Sequence, residues 1–342
     1  MNRSRFLLTG AAAAGAASLA RPARAAGERI GVAIGPGHSM IYLPWDLAAA
    51  LGYLPSEGLD VQFQYLKGGA EAASALASGS VDFTGCGVDH AILAQLRGKD
   101  IPLIVQFMSV PAAGVLVRAA DKAKYATFGA LRGHPVGVTT LGSGSHAIAL
   151  WLARTNGIPR DGISILSVGG DTTAATALES GRVDAVVAYD PLATQLVASG
   201  KAAFLYDLYQ PDVAHRAMQL PVYAFSGALT RADMAQSRPA TCQKVVNALV
   251  RALRFMGTRP PADVARALND EQRGGLSAAD WQRTYEHAHP AFTRDGEIRI
   301  DGVRATAEAN LYLADQMSAK LDFSRLVDTR FQIQARKTLR SA

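Results

Sequence analysis

The chain has 342 residues, 49% of them apolar and 19% charged, with a formal net charge of +6 and two cysteines. Arg3, Arg5, Arg21 and Arg24 stand in the first 25 residues, which carry no acid, so removing these four from the +6 leaves +2 on the remainder. A near-neutral chain without a basic run lacks the electrostatic footprint of nucleic-acid binding, and neither Cys86 nor Cys242 has the CxxC partner of a zinc or thioredoxin-like site.

Residues 1–25 read as an export signal. Arg3 and Arg5 begin it, Phe6–Ala20 is apolar and rich in small residues, and Ala23-Arg24-Ala25 supplies an A-x-A cleavage site before Ala26. The run is too short, and too rich in alanine and glycine, for a stable membrane span. Ser4 separates the arginines, so the twin-arginine match is imperfect and the general secretory route stays open. No cysteine follows the run, which speaks against a lipid anchor. The expected destination is the periplasm.

The following segments alternate short apolar runs with helical periodicity, the pattern of α/β domains on mainly parallel sheets. Arg29–Ile34 reads as a strand, Tyr42–Leu54 as a helix, Leu59–Tyr65 as a strand and Ala70–Ala77 as a helix closed by Gly79. Val81–Thr84, Asp89–Arg97 and Leu103–Phe107 continue as strand, helix and strand. The cycle then restarts, with strands at Pro135–Thr139, Ile163–Ser167 and Ala185–Ala188. Helices at Ser145–Asn156, Ala174–Leu178 and Pro191–Ala198 separate them. Val222–Ser226 reads as an extended segment crossing back. A helix from Pro239 then carries Val245, Val246, Leu249, Val250, Leu253 and Met256 at helical spacing, a core stripe. Residues 276–287 and 303–319 form further helices, and the basic tail from Arg330 is expected to be frayed or solvated.

The restart is a true repeat. AASALASGSVD at 72–82 returns as AATALESGRVD at 174–184, 102 positions later, and Gly68 is echoed by Gly170. With a slip of a few residues, Gly31-Val32 is echoed by Gly137-Val138, Ser39 by Ser145 and Trp45 by Trp151. The period is far beyond the roughly 20–50 residues of solenoid units. It is domain-sized, and two like lobes enclose a cleft of the kind in which small ligands bind. Lobe one is expected at 27–117 plus 226–342 and lobe two at 118–225, with crossings near Leu116–Ala119 and Tyr223–Gly227.

Ligands of open α/β sheets sit beyond the carboxyl ends of the strands. The turns at those ends are small and polar. In lobe one they supply His38, Ser39, Gly68, Gly69, Cys86, Gly87 and Asp89, and in lobe two Thr140, Ser143, Gly144, Ser145, His146, Asp171, Thr172, Thr173 and Tyr189. Glycine and serine before a helix leave N–H donors and a positive dipole end for an anion. Opposed turns of this kind suit a small oxyanion or a zwitterion. His38 and His146 could donate to an anion, Tyr189 is an aromatic at a strand end, and Asp82 and Asp184 are read as turn braces. Trp45 and Trp151 are read as core. The Gly142–Ser145 turn is neither a Rossmann fingerprint nor a P-loop, and no cofactor or metal motif is present.

These residues resemble the periplasmic solute-binding proteins of the sulfonate, taurine, nitrate and thiamine-precursor type, which include the NMT1/THI5-like proteins. The resemblance runs from about Arg29 to about Pro290 and rests on Leu51-Gly52-Tyr53, Glu57-Gly58-Leu59-Asp60-Val61, Gly68-Gly69, Ala75–Gly79 and Val81-Asp82. In the second half it rests on Ala177-Leu178, Ser180-Gly181, Val183-Asp184 and Asp190-Pro191. It implies a two-lobed type II periplasmic binding fold and a non-enzymatic monomer. Such a protein delivers a small molecule to the membrane permease and ATPase subunits of an ABC importer. The favoured ligand is an organic anion such as a sulfonate, held by turn amides with Ser39, Ser143, Ser145 and Thr173. The alternative is an uncharged heteroaromatic such as a thiamine-pathway pyrimidine, leaning on Tyr189 and on Glu71 or Asp171. Cys86 with His90 faintly echoes the nucleophile of a sulfinate-cleaving hydrolase on this scaffold, without matching its motif; the plainer reading is a small buried residue in a Gly-rich turn. A sensory binding protein is the third class.

Overall fold

A computed structural model describes residues 27–35 and 37–339; the export signal expected at 1–25 lies outside the described residues. The chain enters a first sheet with β1 (Glu28–Ile34), α1 (Leu43–Ala50), α2 (Tyr53–Ser56), β2 (Leu59–Tyr65), α3 (Gly69–Ala77), β3 (Phe83–Gly87), α4 (Asp89–Gln95) and β4 (Leu103–Met108). It then crosses to a second sheet through β5 (Gly114–Arg118), β6 (Pro135–Val138), α5 (Gly144–Thr155), β7 (Ser164–Ser167) and α6 (Thr172–Glu179). β8 (Ala185–Ala188), α7 (Leu192–Ala198), β9 (Ala202–Asp207) and α8 (Pro211–Met218) complete that half. β10 (Ser226–Thr230) returns to the first sheet. Helices follow: α9 (Ala232–Ser237), α10 (Pro239–Thr258), α11 (Pro261–Ala267), α12 (Ala278–Ala288), α13 (Ile300–Leu313), α14 (Phe323–Leu326) and α15 (Arg330–Thr338).

The two sheets have one topology. Their orders are β2-β1-β3-β10-β4 and β7-β6-β8-β5-β9. Three parallel strands stand on one side, and the strand that has just crossed over inserts antiparallel: β10 against β3 and β4, β5 against β8 and β9. The sheets are therefore mixed, and the fold is the expected two-lobed α/β architecture.

The repeat is visible in its hydrogen bonds. Gly79 and Gly181 take the left-handed φ of 81° and 76° that ends α3 and α6, where glycine meets no steric penalty. Arg231 Nη1 donates to the Leu76 and Val81 carbonyls at 3.4 and 2.8 Å, and Arg118 Nη1 donates to their counterparts Leu178 and Val183 at 3.1 and 2.9 Å. Asp82 accepts from the Gly31 N–H at 2.9 Å, and Asp184 binds Arg118 at 2.8 Å and His134 at 2.9 Å. Both aspartates brace their turns, as their sequence context implies.

Two expectations need correction. β5 pairs wholly within the second sheet, so the first crossing is at Ser109–Ala113 and not at 116–119. Residues Val110–Val117 are all buried; a strand buried on both faces loses the alternation that would mark its ends. The basic tail is not solvated either. Phe331 and Ala335, one turn apart on α15, are buried, and Gln243 of α10 donates to the Phe331 carbonyl at 3.0 Å. Its charges stay at the surface, Arg336 pairing with Asp295 at 2.8 Å.

The amino-terminal strand is tied to α10 through one carboxylate. Glu28 accepts from Thr241, from Arg238 at 2.6 Å and from Lys244 at 3.1 Å. The Thr241 hydroxyl foremost, and then Arg238, hold its pKa down to about 2 against an ordinary 4.5. A depressed carboxylate stabilises the fold fully above its ordinary pKa, and loses that contribution as pH falls through the folded value. Glu28→Gln should therefore lower the Tm across pH 5–8, and the gap to wild type should narrow as pH falls from about 4.5 towards about 2. A gap equally wide at pH 2 would refute this role; circular-dichroism melts in a pH series measure it.

Candidate functional site

The site begins with two missing side chains on β3. Gly85 and Gly87 share one face of the strand. A methyl group on Gly85 would come within 2.9 Å of the Trp45 ring, and one on Gly87 within 2.0 Å of Asp89 Oδ1. The strand end is thus left bare so that Asp89, at the start of α4, can fold back over it. The Asp89 side chain is only 10% exposed.

The second lobe approaches from the other side. A methyl group on Gly144, the first residue of α5, would stand 3.3 Å from the Tyr189 hydroxyl, 3.7 Å from Asp89 Oδ2 and 3.9 Å from the Phe225 ring. Tyr189 and Phe225 pack with ring centroids 5.8 Å apart, and Phe225 with Tyr223 at 6.5 Å. Tyr42 and Tyr223 are buried beside them. Burial first, and then the Asp89 charge, push the Tyr189 and Tyr223 hydroxyls up; burial, Cys86 and Asp89 do so for Tyr42. All three phenols stay neutral. Among the described residues the Asp89 carboxylate accepts no hydrogen bond, and it lies 3.9 Å from His90 Nδ1.

The hydroxyl-rich turns behave differently from the anion cradle suggested by their composition. Ser143 caps α5, accepting from the His146 N–H at 3.4 Å and donating to the Thr140 carbonyl at 2.7 Å. Ser145, fully buried, accepts from the Thr139 N–H at 3.0 Å and lies 2.9 Å from both the Thr139 and Ser143 hydroxyls. His146 Nδ1 accepts from the Gly142 N–H at 2.9 Å, and burial, then Arg160, lower its pKa. It is a neutral cap at Nδ1, which leaves the proton on Nε2. Asp171 caps α6 through the Thr173 N–H at 2.9 Å and hydroxyl at 2.8 Å, and the Thr173 hydroxyl also reaches the Val168 carbonyl at 2.6 Å. Asp171, Thr172 and Thr173 are exposed.

In the first lobe, Gly35 and Gly69 serve close packing, whereas a methyl group on Gly68 would meet nothing within 4 Å. A methyl group on Gly35 would sit 2.2 Å from the Gly68 carbonyl oxygen, and one on Gly69 would sit 2.5 Å from His90 Nε2. His38 adopts a left-handed φ of 51° and holds Nδ1 3.4 Å from the buried Asp46, which also accepts from the Tyr65 hydroxyl at 2.7 Å. That contact raises the His38 pKa. Ser39 is buried at the start of the short turn Met40–Tyr42, and among the described residues its hydroxyl makes no hydrogen bond. Tyr42, Tyr223 and Phe225 were not singled out by the sequence. They lie at a helix entry and in a crossing segment, where no periodicity or motif marks them.

Cys86 alternates to the opposite face of β3 from Gly85 and Gly87 and packs with Ala33 and Val88. It is fully buried, and burial foremost, then Asp89, pushes its thiol up. A nucleophilic cysteine needs the thiolate. Among the described residues no cluster of His, Cys, Asp and Glu has the grouping of a metal site. Iodoacetamide at pH 8 should leave Cys86 unmodified in the folded protein and alkylate it after unfolding, as read by peptide mass spectrometry. Rapid labelling of the native protein would restore the nucleophile reading.

The NMT1/THI5 like family matches residues 36–262. Among solved structures, a protein of Bordetella bronchiseptica RB50 is similar at 24% identity, with a TM-score of 0.80 over 91% of this chain and 98% of that one. The alkanesulfonate-binding protein SsuA from Xanthomonas axonopodis pv. citri, bound to MOPS, is similar at 22% identity, with a TM-score of 0.66 over 88% and 96%. The periplasmic aliphatic sulphonate binding protein SsuA from Escherichia coli is similar at 20% identity, with a TM-score of 0.68 over 88% and 92%. No curated protein matches the chain.

Proposed function

The chain belongs to the NMT1/THI5-like family, and from that premise we propose that it is the periplasmic solute-binding component of an ABC importer. It acts as a monomer without catalysis and takes up a small planar solute that presents N–H donors or a cationic nitrogen. One observation carries the ligand class: the Asp89 carboxylate, nine-tenths buried and without a hydrogen bond among the described residues, faces the Gly144 end of α5 inside a ring of Tyr42, Tyr189, Tyr223 and Phe225. A buried carboxylate without hydrogen bonds is costly, and a donor-bearing ligand offsets that cost. Aromatic walls suit a planar ring. An amino-substituted heteroaromatic meets both demands. Closing the lobes around it brings Asp89 and Tyr189 together on one ligand, the differential contact that shifts an open–closed equilibrium.

The organic-anion reading keeps one argument of its own. α5 begins at Gly144, beside the same space, a helix of this length can hold an oxyanion at its start, and sulfonate-binding proteins share the fold. Against it stands the sign of Asp89. Two like charges about 4 Å apart repel by roughly 4 kcal/mol at the effective dielectric of a partly buried site.

A thermal-shift series with 4-aminopyrimidine, taurine and methanesulfonate distinguishes the two. A ligand at about a hundred times its Kd adds roughly 2.7 kcal/mol to the folded state. The expected outcome is stabilisation by the aminopyrimidine, its loss in Asp89→Asn, and little response to methanesulfonate in wild type. Stabilisation by methanesulfonate that strengthens in Asp89→Asn would instead support the organic anion.

A further inference from the structure

We infer that His287 is a cationic clasp by which the carboxy-terminal helices hold the second lobe against the first, and a positioning residue for the Tyr189 wall of the cleft. α12 is anchored on the first lobe. The Tyr285 hydroxyl donates to the Met256 carbonyl of α10 at 3.1 Å. Just beyond the helix, the Ala291 carbonyl accepts from the Ser109 N–H at 2.9 Å, and Phe292 bridges to Met108 at the end of β4. From that anchored helix His287 reaches into the second lobe. Its Nδ1 lies 2.6 Å from Asp190 Oδ2, and its Nε2 lies 3.1 Å from Asp207 Oδ2.

Both ring nitrogens face carboxylate oxygens, so both must carry protons, and only the imidazolium does. Phe204 stacks on the ring at 5.3 Å and Tyr209 tilts against it at 4.8 Å, shielding the pair from water. Burial pulls the imidazole down, but the hydrogen bonds to Asp190 and Asp207 outweigh it and raise its pKa to about 10. A pair of fixed negative charges without that cation would be left close together in a half-buried site.

Asp190 makes the clasp matter for the cleft. Its side chain is fully buried, and its second oxygen accepts from the Thr194 N–H at 2.9 Å and hydroxyl at 2.7 Å. Its own N–H donates to the Tyr209 hydroxyl at 2.8 Å. Its N–H and both carboxylate oxygens are therefore held, and the residue before it is Tyr189. The clasp thus sets where Tyr189 stands relative to Asp89, across the lobe boundary. The inference rests on the solute-binding reading only for its consequence; the clasp itself is measured without ligand.

The test uses the full chain labelled with spin probes at Gln64→Cys and Arg182→Cys, exposed positions on the two lobes. Wild type should give one short inter-lobe distance distribution. His287→Gln should add a longer population, and Asp207→Asn, which leaves Asp190 in place, should shift in the same direction to a smaller extent. Should His287→Gln fail to fold, Asp207→Asn alone decides. Histidine nitrogen NMR of wild type at pH 8 supplies the second readout, and both ring nitrogens of His287 should be protonated while a solvent-exposed histidine is neutral. Unchanged distances in the folded variants, or a neutral His287 at pH 8, overturn the inference. Absence of any stabilising ligand in the thermal-shift series would refute the proposed solute class and leave these measurements intact.

Discussion

Each sheet is completed by a strand that has just arrived from the other lobe, and the rest of the molecule is arranged around that exchange. β5 and β10 are interior strands, hydrogen-bonded on both sides, so neither can leave without exposing unpaired backbone along two neighbours. The crossing segments also bond to one another: the Phe225 N–H donates to Met108 at 3.1 Å, the Tyr223 N–H donates to Ser109 at 3.2 Å, and Val88 at the end of β3 donates to Phe225 at 2.9 Å. The floor of the cleft is therefore continuous backbone. Side chains on the crossing, Tyr223 and Phe225, become part of the site because the topology leaves them nowhere else to go.

Much of the fold could be read from the residues. The repeated turn kept its meaning in both lobes because its parts act locally: a glycine that must be left-handed, an aspartate that braces, and a leucine whose carbonyl awaits a donor. What failed were elements whose identity depends on distant partners. β5 is buried on both faces and merges with the apolar run after β4. α15 looks like a solvated tail because its basic residues dominate the composition, yet the two apolar residues that dock it are one helical turn apart.

The candidate site was legible in place more than in chemistry. Of the residues at the strand-end turns, Asp89, Gly87, Gly144 and Tyr189 converge. Serine and threonine content suggested an anion cradle, but hydroxyls close in sequence bond one another before they reach a ligand, as Thr139, Ser143 and Ser145 do. Composition counts donors without saying which are already committed. The carboxylates show the same point from the other side. Asp46, Asp190 and Asp207 each have a close hydrogen-bond partner, Tyr65 or His287, whereas Asp89 accepts no hydrogen bond among the described residues and has only His90 Nδ1, 3.9 Å away.

The bare face of β3 has a consequence for how such a scaffold changes over time. Because Gly85 and Gly87 contribute no side chains, the floor is furnished by Trp45 from α1 and Asp89 from α4, lying over the strand without belonging to it. Strand packing and pocket lining are thereby carried by different residues. A substitution at the start of α4 can re-line the pocket while the sheet beneath keeps every hydrogen bond. Selection can therefore exchange one solute for another without first passing through a destabilised fold.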